Sequence, residues 1–188
     1  MITSTKVKLR SKKLADALDN YAWCTDPELA ELDAAPLLIS AFDEYLADYA
    51  CELRYPSPTR HSFAIETLDG KHIGNCVYYN IDKAKGEGEA ELGVMIGDRD
   101  YWDKGYGTDA VTTLLNHIFH QTKLNRIYLK TLTSNPRAHK CFEKCGFVSC
   151  GKLAKDGYDF TLMEIHRQQR EKEQPEGGKQ PAYKVAGQ

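Results

Sequence analysis

EAELGVMIGDRDYWDKGYGTDAVTTLLNHIFHQ, running from Glu89 to Gln121, is the stretch whose reading decides the fold. It opens with a clean alternation. Glu89, Glu91, Gly93 and Met95 fall on one face of an extended segment, and Ala90, Leu92, Val94 and Ile96 fall on the other. A polar segment, Gly97 to Lys104, leads to the glycine pair Gly105 and Gly107. Beyond it Val111, Leu114, Leu115, Ile118 and Phe119 recur at helical spacing as one apolar stripe. The stretch is a strand, a glycine loop and an amphipathic helix in succession.

That succession has a chemical consequence. The first N–H groups of a helix have no partner inside it and lie at the positive end of its dipole. Glycines let an anion reach those amides, and Lys104 adds a positive charge beside them. A phosphate or pyrophosphate is the natural ligand. A P-loop would need a lysine between Gly107 and Thr108, and none is there. The dinucleotide fingerprint is matched in letters by Gly105, Gly107 and Ala110, but it should follow a strand directly. Here Asp98 to Lys104 intervenes, and the next strand, Ile127 to Thr131, ends without a carboxylate. Taken by itself, the loop is also compatible with a plain turn at a helix entry.

Reading outward gives the remaining elements. Lys6 to Arg10 predicts an opening strand, and Leu14, Leu18 and Tyr21, then Phe42, Tyr45, Leu46, Tyr49 and Leu53, predict two helices separated by a loop punctuated at Asp26-Pro27 and Ala35-Pro36. His61 to Thr67 and His72 to Ile81 form a hairpin around Asp69-Gly70, and a charged turn from Lys83 to Gly88 leads into the alternating strand. After the long helix comes a strand from Arg126 to Leu132. Asn135-Pro136 then starts a helix that Gly146 ends. Phe147 to Leu153 and Tyr158 to Ile165 close the domain as strands. The expected class is α/β (α+β): a single mixed, mostly antiparallel twisted sheet flanked by about four helices.

The 188 residues make one domain, expected over 6–166, with a polar, disordered tail over 167–188. A formal net charge of -2 offers nothing to a nucleic acid, so none is expected as a partner. No apolar run approaches the ~20 residues that span a bilayer, and the first residues lack a signal-peptide core. A cytoplasmic chain with no membrane association is the expectation. The cysteines Cys24, Cys51, Cys76, Cys141, Cys145 and Cys150 read as reduced thiols. Even the densest cluster, Cys141, Cys145 and Cys150, lacks zinc-site spacing, so no metal is expected.

The run from Glu91 to Val111 closely resembles the acetyl-CoA motif of the GNAT acetyltransferases, and within them the branch of the ribosomal-protein-alanine acetyltransferases. Asn135-Pro-Arg-Ala-His-Lys-Cys-Phe-Glu-Lys-Cys-Gly-Phe147 is similar to the second motif of that family. Val7 to Arg10 and Asp159 to Met163 resemble its opening and closing strands, so the likeness spans roughly 6–166. Two long motifs in the right order are far more specific than either alone.

The resemblance implies acetyl-CoA as cosubstrate and transfer of its acetyl group to a primary amine, on a small molecule or at a protein N-terminus, by a monomer or homodimer. It implies that Trp102, Asp103, Lys104, Gly105, Tyr106, Gly107 and Thr108 surround the pyrophosphate, with Trp102 replacing the usual arginine or glutamine and serving through its backbone amide. Met95 and Ile96 would offer main-chain groups to the pantetheine arm where two parallel strands splay, with Gly97 as one extra residue before the loop. Asn135 would bond the pantetheine or simply cap its helix. Phe142 stands where many relatives carry a proton-donating tyrosine. It cannot donate, and becomes core or cofactor wall.

Glu91 is the candidate general base, with an ion-paired or solvated role as the alternative. The carboxylate that serves in some relatives is replaced by Lys130. Tyr158 and Asp159 lie near the expected acceptor side or merely pair their hairpin. An α-amine of pKa near 8 is roughly a fifth neutral at physiological pH, whereas a lysine amine needs about 4 kcal/mol of help. A site without a clear base therefore suits an α-amine or a desolvated small amine. The contrasting reading is a catalytically weak or inactive CoA-binding regulator.

Overall fold

The computed structural model describes residues 1–82 and 88–169. Eight strands form one sheet: β1 (Ile2–Thr3), β2 (Val7–Ser11), β3 (His61–Thr67), β4 (His72–Asp82), β5 (Glu89–Ile96), β6 (Arg126–Leu132), β7 (Val148–Lys155) and β8 (Tyr158–His166). Their order is β1-β2-β3-β4-β5-β6-β8-β7, and every neighbouring pair is antiparallel except β5 with β6. The helices among the described residues are α1 (Ala17–Cys24), α2 (Pro27–Leu32), α3 (Phe42–Arg54), α4 (Tyr106–Gln121) and α5 (Pro136–Lys144), with short 3-10 turns at Leu14–Asp16 and Arg99–Tyr101. The mixed, mostly antiparallel sheet agrees with the sequence reading. The loop expected after Asp26-Pro27 is instead α2, whose first amides are capped by the Asp26 carboxylate and whose first residue is proline.

One face of the sheet carries the apolar core. Leu9, Ile65, Ile73, Leu92, Ile127, Leu129 and Ile165 meet Val111, Leu114, Leu115 and Ile118 of α4, all buried. Burying such side chains contributes roughly 1.5–3 kcal/mol each, the dominant favourable term in the fold. Arg167 closes the far end of α4: its guanidinium donates to the carbonyls of Phe119, Thr122 (2.9 Å) and Leu124 (2.6 Å), which would otherwise lack partners. Of the tail expected over 167–188, the part from 170 lies outside the described residues, as do 83–87 of the turn before β5.

The opposite face is polar where α1 covers it. Leu14 and Leu18, expected on the inner side, are 51% and 64% exposed, while Asp16, Asn20 and Trp23 are buried. The reason is what the sheet presents there. Arg10 donates to both Asp16 oxygens (2.8 Å each) and to Glu66 (2.5 Å), and Asn75 donates to Asn20. A polar sheet face takes polar partners from the helix, against the apolar period of the helix sequence.

Burial alone would raise the Asp16 carboxyl, but the Arg10 bonds and the Lys13 amide (2.9 Å) hold it below the usual aspartate value. Its stabilisation is present above the unfolded-state value near 4 and is lost as pH falls through the lower folded-state value. Asp16→Asn is expected to cost about 1–3 kcal/mol at neutral pH, because it leaves the largely buried Arg10 guanidinium with Glu66 as its remaining carboxylate. Thermal melts of the two proteins should approach one another as the pH is taken from 7 towards 2; a constant gap would count against this assignment.

Two features position the cleft. β5 and β6 pair only at Glu89 with Arg126, Ala90 with Ile127 and Glu91 with Tyr128, although they extend to Ile96 and Leu132. Beyond Glu91 they diverge, opening a wedge in the sheet. The β7–β8 hairpin turns through Asp156 (φ 53°) and Gly157 (φ 83°), which sets that turn beside the mouth of the wedge.

Candidate active site

The loop before α4 is an alternation of backbone conformations: Asp103 has φ 55° and Gly105 has φ 82°, both left-handed. The alternation turns successive amides inward, an arrangement suited to an anion. Among the described residues no acceptor meets the N–H groups of Asp103, Lys104, Gly105, Tyr106, Gly107 and Thr108; the first satisfied amide is that of Asp109, on Gly105 O at 3.0 Å. The loop is held rigidly. Asp109 accepts from Thr5 Oγ1 (2.9 Å) and from the amides of Lys6 (2.9 Å) and Val7 (3.1 Å), and Lys6 Nζ donates to Lys104 O (2.9 Å).

Several expected contributions are relocated. The Trp102 amide is not free, because it donates to Arg99 O (3.0 Å) within the 3-10 turn. Its indole Nε1–H donates to Ile96 O (2.6 Å), and its ring carries the Arg137 guanidinium 3.5 Å from its centroid. Lys104 Nζ donates to Asp100 O (2.7 Å), which draws it aside. The Tyr106 ring packs edge-on against Tyr101. Neither Lys104 nor Tyr106 is among the residues that line the cleft. Gly97 accommodates Trp23: a Cβ there would lie 2.1 Å from the indole ring.

The cleft has two halves. The first, about 240 Å³, is lined by Met95, Ile96, Trp102, Asp103, Gly105, Gly107 and Thr108 on one side, and by Arg137, Lys140, Cys141 and Lys144 of α5 on the other. The three cations recur at helical spacing, so sequence reading could have found them by the same test applied to apolar stripes. The second half, about 310 Å³, is lined by Tyr79, Glu91, Lys130, Lys155, Asp156 and Tyr158. Leu32, Asp33, Val94, Asn135, Ala138 and Phe142 line both. The halves therefore meet at the wedge between β5 and β6.

Within this junction Asn135 Oδ1 accepts from Ala138 N (3.1 Å), capping α5. Phe142 is 6% exposed, packed edge-on to Phe147. Glu91 is 4% exposed, with Lys130 Nζ at 3.1 Å and Asn80 Nδ2 at 3.0 Å. Of its two readings the ion-paired one describes its surroundings. Asp159 is exposed, and its carbonyl accepts from Thr133 N (2.9 Å). Among the described residues no group of side chains is arranged to hold a metal ion, and no helix is long and apolar enough to cross a membrane.

The thiol of Cys141 lies where a Cβ on Gly107 would be 3.5 Å away. A hydrogen bond from Cys145 is the largest influence on it, opposed by burial and aided by Thr108 Oγ1 (3.6 Å) and Lys144, and together they bring it down to about 7. Iodoacetamide at pH 7.5 should alkylate Cys141 well ahead of buried Cys76, whose thiol burial pushes well above its ordinary range. Acetyl-CoA should protect Cys141. Peptide mass mapping checks both, and unchanged labelling in the presence of acetyl-CoA would move the ligand out of this half.

The acetyltransferase (GNAT) domain family matches residues 6–148 of the chain. A Bacillus licheniformis protein described as an uncharacterized N-acetyltransferase, p20, is 29% identical over 172 residues, covering 84% of this chain and 93% of that protein. The Klebsiella pneumoniae aminoglycoside N(6')-acetyltransferase type 1 is 27% identical over 164 residues, covering 80% of this chain and 78% of its own. Among solved structures, spermidine N-acetyltransferase from Vibrio cholerae, in complex with CoA and spermine, superposes with a TM-score of 0.78 at 21% identity over 88% of this chain and 98% of that one. An aminoglycoside acetyltransferase in complex with coenzyme A gives 0.72 at 22% over 88% and 98%. At these identities the two structures establish a shared fold.

Proposed function

We propose, from the premise that the chain belongs to the GNAT acetyltransferase family and is an acetyl-CoA-dependent N-acetyltransferase, that its acceptor is a small cationic amine. The observation that carries this reading is the two-part cleft meeting at the β5–β6 wedge, with carboxylates in its second half. Asp33, Glu91 and Asp156 are gathered there with Tyr79 and Tyr158 around a space of about 310 Å³; Lys130 and Lys155 pair with Glu91 and Asp156, which leaves Asp33 as the carboxylate open to a cation. That lining suits a compact polyamine or amino sugar. The relatives named for spermidine and aminoglycosides support it.

We assign the first half to acetyl-CoA, and its residues fit that molecule. The unpartnered amides of Asp103 to Thr108 match a pyrophosphate, and Arg137, Lys140 and Lys144 supply charge. Val94, Ile96 and Phe142 give an apolar wall for the pantetheine, which would pass Met95 and Ile96 to the wedge. Acetyl-CoA supplies the activated acyl group. The chain would supply proximity and, from β5, a backbone N–H for the acetyl oxygen.

The ribosomal-protein-alanine branch remains a second reading, because the run from Glu91 to Val111 resembles it. Incubating the purified chain with acetyl-CoA and spermidine, kanamycin or an Ala-initiated peptide, and following CoA thiol release, separates the readings. Turnover with spermidine or kanamycin should exceed that with the peptide by about tenfold or more, equivalent to about 1.4 kcal/mol. A faster peptide would replace the small-amine reading, and tight acetyl-CoA binding with no turnover on any of the three would favour a regulatory CoA-binding role.

A further inference from the structure

We propose that the Asp33 carboxylate is the group that takes the proton from the acceptor's ammonium, a catalytic role for a residue outside both sequence motifs; the proposal rests on the transferase reading above. Six residues line both halves of the cleft, and Asp33 is the one titratable group among them. Transfer between two bound molecules must take place where the two halves meet. A base that acts on the attacking nitrogen must lie at that junction.

The other carboxylates of the second half are differently engaged. Glu91 faces Lys130 and Asn80, and Asp156, at a hairpin tip, is 78% exposed with Lys155 at 3.8 Å. The Asp33 carboxylate has no hydrogen-bond or ion-pair partner among the described residues, although its side chain is accessible from the cleft. Its position is fixed by its backbone. Asp33 ends α2, with its amide on Leu29 O (3.0 Å), Ala34 N on Glu31 O (3.0 Å) and Ala35 N on Ala30 O (3.0 Å), and with Ala34 in the left-handed conformation at φ 49°. This is a Schellman cap, which fixes the Asp33 backbone at the edge of the cleft and leaves its carboxylate free to turn to a bound amine.

The electrostatic setting is consistent with a base. Asp33 is exposed to the cleft, and the walls on either side raise its carboxyl above the ordinary aspartate value by partial desolvation. Arg137, Lys140 and Lys144 of α5 and Asp103 of the loop face it from the first half, and bound phosphates would offset those cations. Glu91, Lys130, Lys155, Asp156, Tyr79 and Tyr158 face it from the second half. Cys24 of α1 is close enough to feel its charge.

The step balances with no further reactant. Asp33 takes one proton from the ammonium, and the freed nitrogen lone pair forms the bond to the acetyl carbon. The C–S bond breaks, and its electron pair leaves on sulfur with the second nitrogen proton. Asp33 then returns its proton to water. Phe142, which cannot donate, is not needed in this sequence.

The test uses the full chain with whichever of spermidine, kanamycin and the Ala-initiated peptide the wild type turns over fastest. Asp33→Asn should lower kcat by about 10²-fold or more while the KM for acetyl-CoA changes by less than about twofold. It should also remove the acidic limb of the kcat/KM profile against pH, and Asp33→Glu should restore part of the rate. Retention of kcat within about threefold, or a loss confined to acceptor KM, would overturn the proposal. A wild type inert on all three amines would instead sink the acceptor reading and the base with it. Should Asp33→Asn melt early, carbon-13 titration of the wild-type aspartate carboxyls, with the Asp33 resonance identified from Asp33→Glu, decides the matter. Asp33 must titrate above the ordinary aspartate value, and an ordinary value overturns the assignment.

Discussion

Gly105→Val is expected to weaken acetyl-CoA binding by roughly 10²-fold or more while leaving a folded protein. Gly105 sits at φ 82°, a conformation that costs a side-chain-bearing residue about 1–2 kcal/mol and a β-branched one more. Space is not the obstacle, because the nearest atoms to a Cβ there are the tip of Lys6, 3.8 Å away. The valine would relieve itself by rotating the backbone, and the amides from Asp103 to Thr108 would cease to converge. Each charge-assisted bond lost from a phosphate is worth about 1.5–3 kcal/mol, so two lost bonds suffice for the stated effect. The strain alone should lower the melting temperature by only about 2–8 °C. Calorimetric titration with acetyl-CoA beside a thermal melt separates the two consequences. Unchanged affinity would show that the loop holds nothing.

Gly74→Ala should have the largest effect on stability. A Cβ on Gly74 would lie 2.1 Å from the Met95 carbonyl oxygen and 3.0 Å from Ile96 Cα, both backbone atoms with no rotamer to yield. Gly74 pairs with Ile96 across the β4–β5 ladder, beside the irregularity where Ile65 pairs with Gly74 but Glu66 with His72. Relief requires those strands to separate at the end that forms the wall of the wedge. A cost of about 3 kcal/mol or more corresponds to a fall of roughly 6–12 °C in melting temperature. Gly93→Ala is the control: its Cβ would meet Val77 Cγ1 at 3.2 Å, a side-chain atom that can give way, and the loss should be much smaller. Equal melting of the two variants would show that the close approach at Gly74 is not a constraint.

What could be read from the sequence followed the range over which each feature is determined. The strand, loop and helix from Glu89 to Gln121 are local in origin: a period of two, a glycine pair, then a period near four. The anion nest was legible for that reason. α2 was missed although Asp26-Pro27 carries the same cap-and-proline signal as Asn135-Pro136, because a helix of six residues is too short to display a period. The inner face of α1 was misjudged because Leu14 and Leu18 set a period that the polar sheet face overrides.

The second half of the cleft was the least legible. Asp33, Glu91, Lys130 and Asp156 come from four separate places: the crossing from β5 through α4 to β6 sets Glu91 beside Lys130, and the end of α2 and the β7–β8 turn bring Asp33 and Asp156 to them. Glu91 stood out because it lies on a strand beside the glycine motif. Asp33 carried no such flag. Its claim comes from lining the junction, and no spacing along the chain encodes a junction.

The account stands on the free amides of the loop as the seat of the cosubstrate, and backbone amide exchange followed by NMR with and without acetyl-CoA measures this directly. In the free protein the amides from Asp103 to Thr108 should exchange rapidly, and acetyl-CoA should slow them selectively together with amides of the Leu92–Ile96 segment of β5. Protection that appears elsewhere, or none at all while acetyl-CoA is being turned over, would contradict the account.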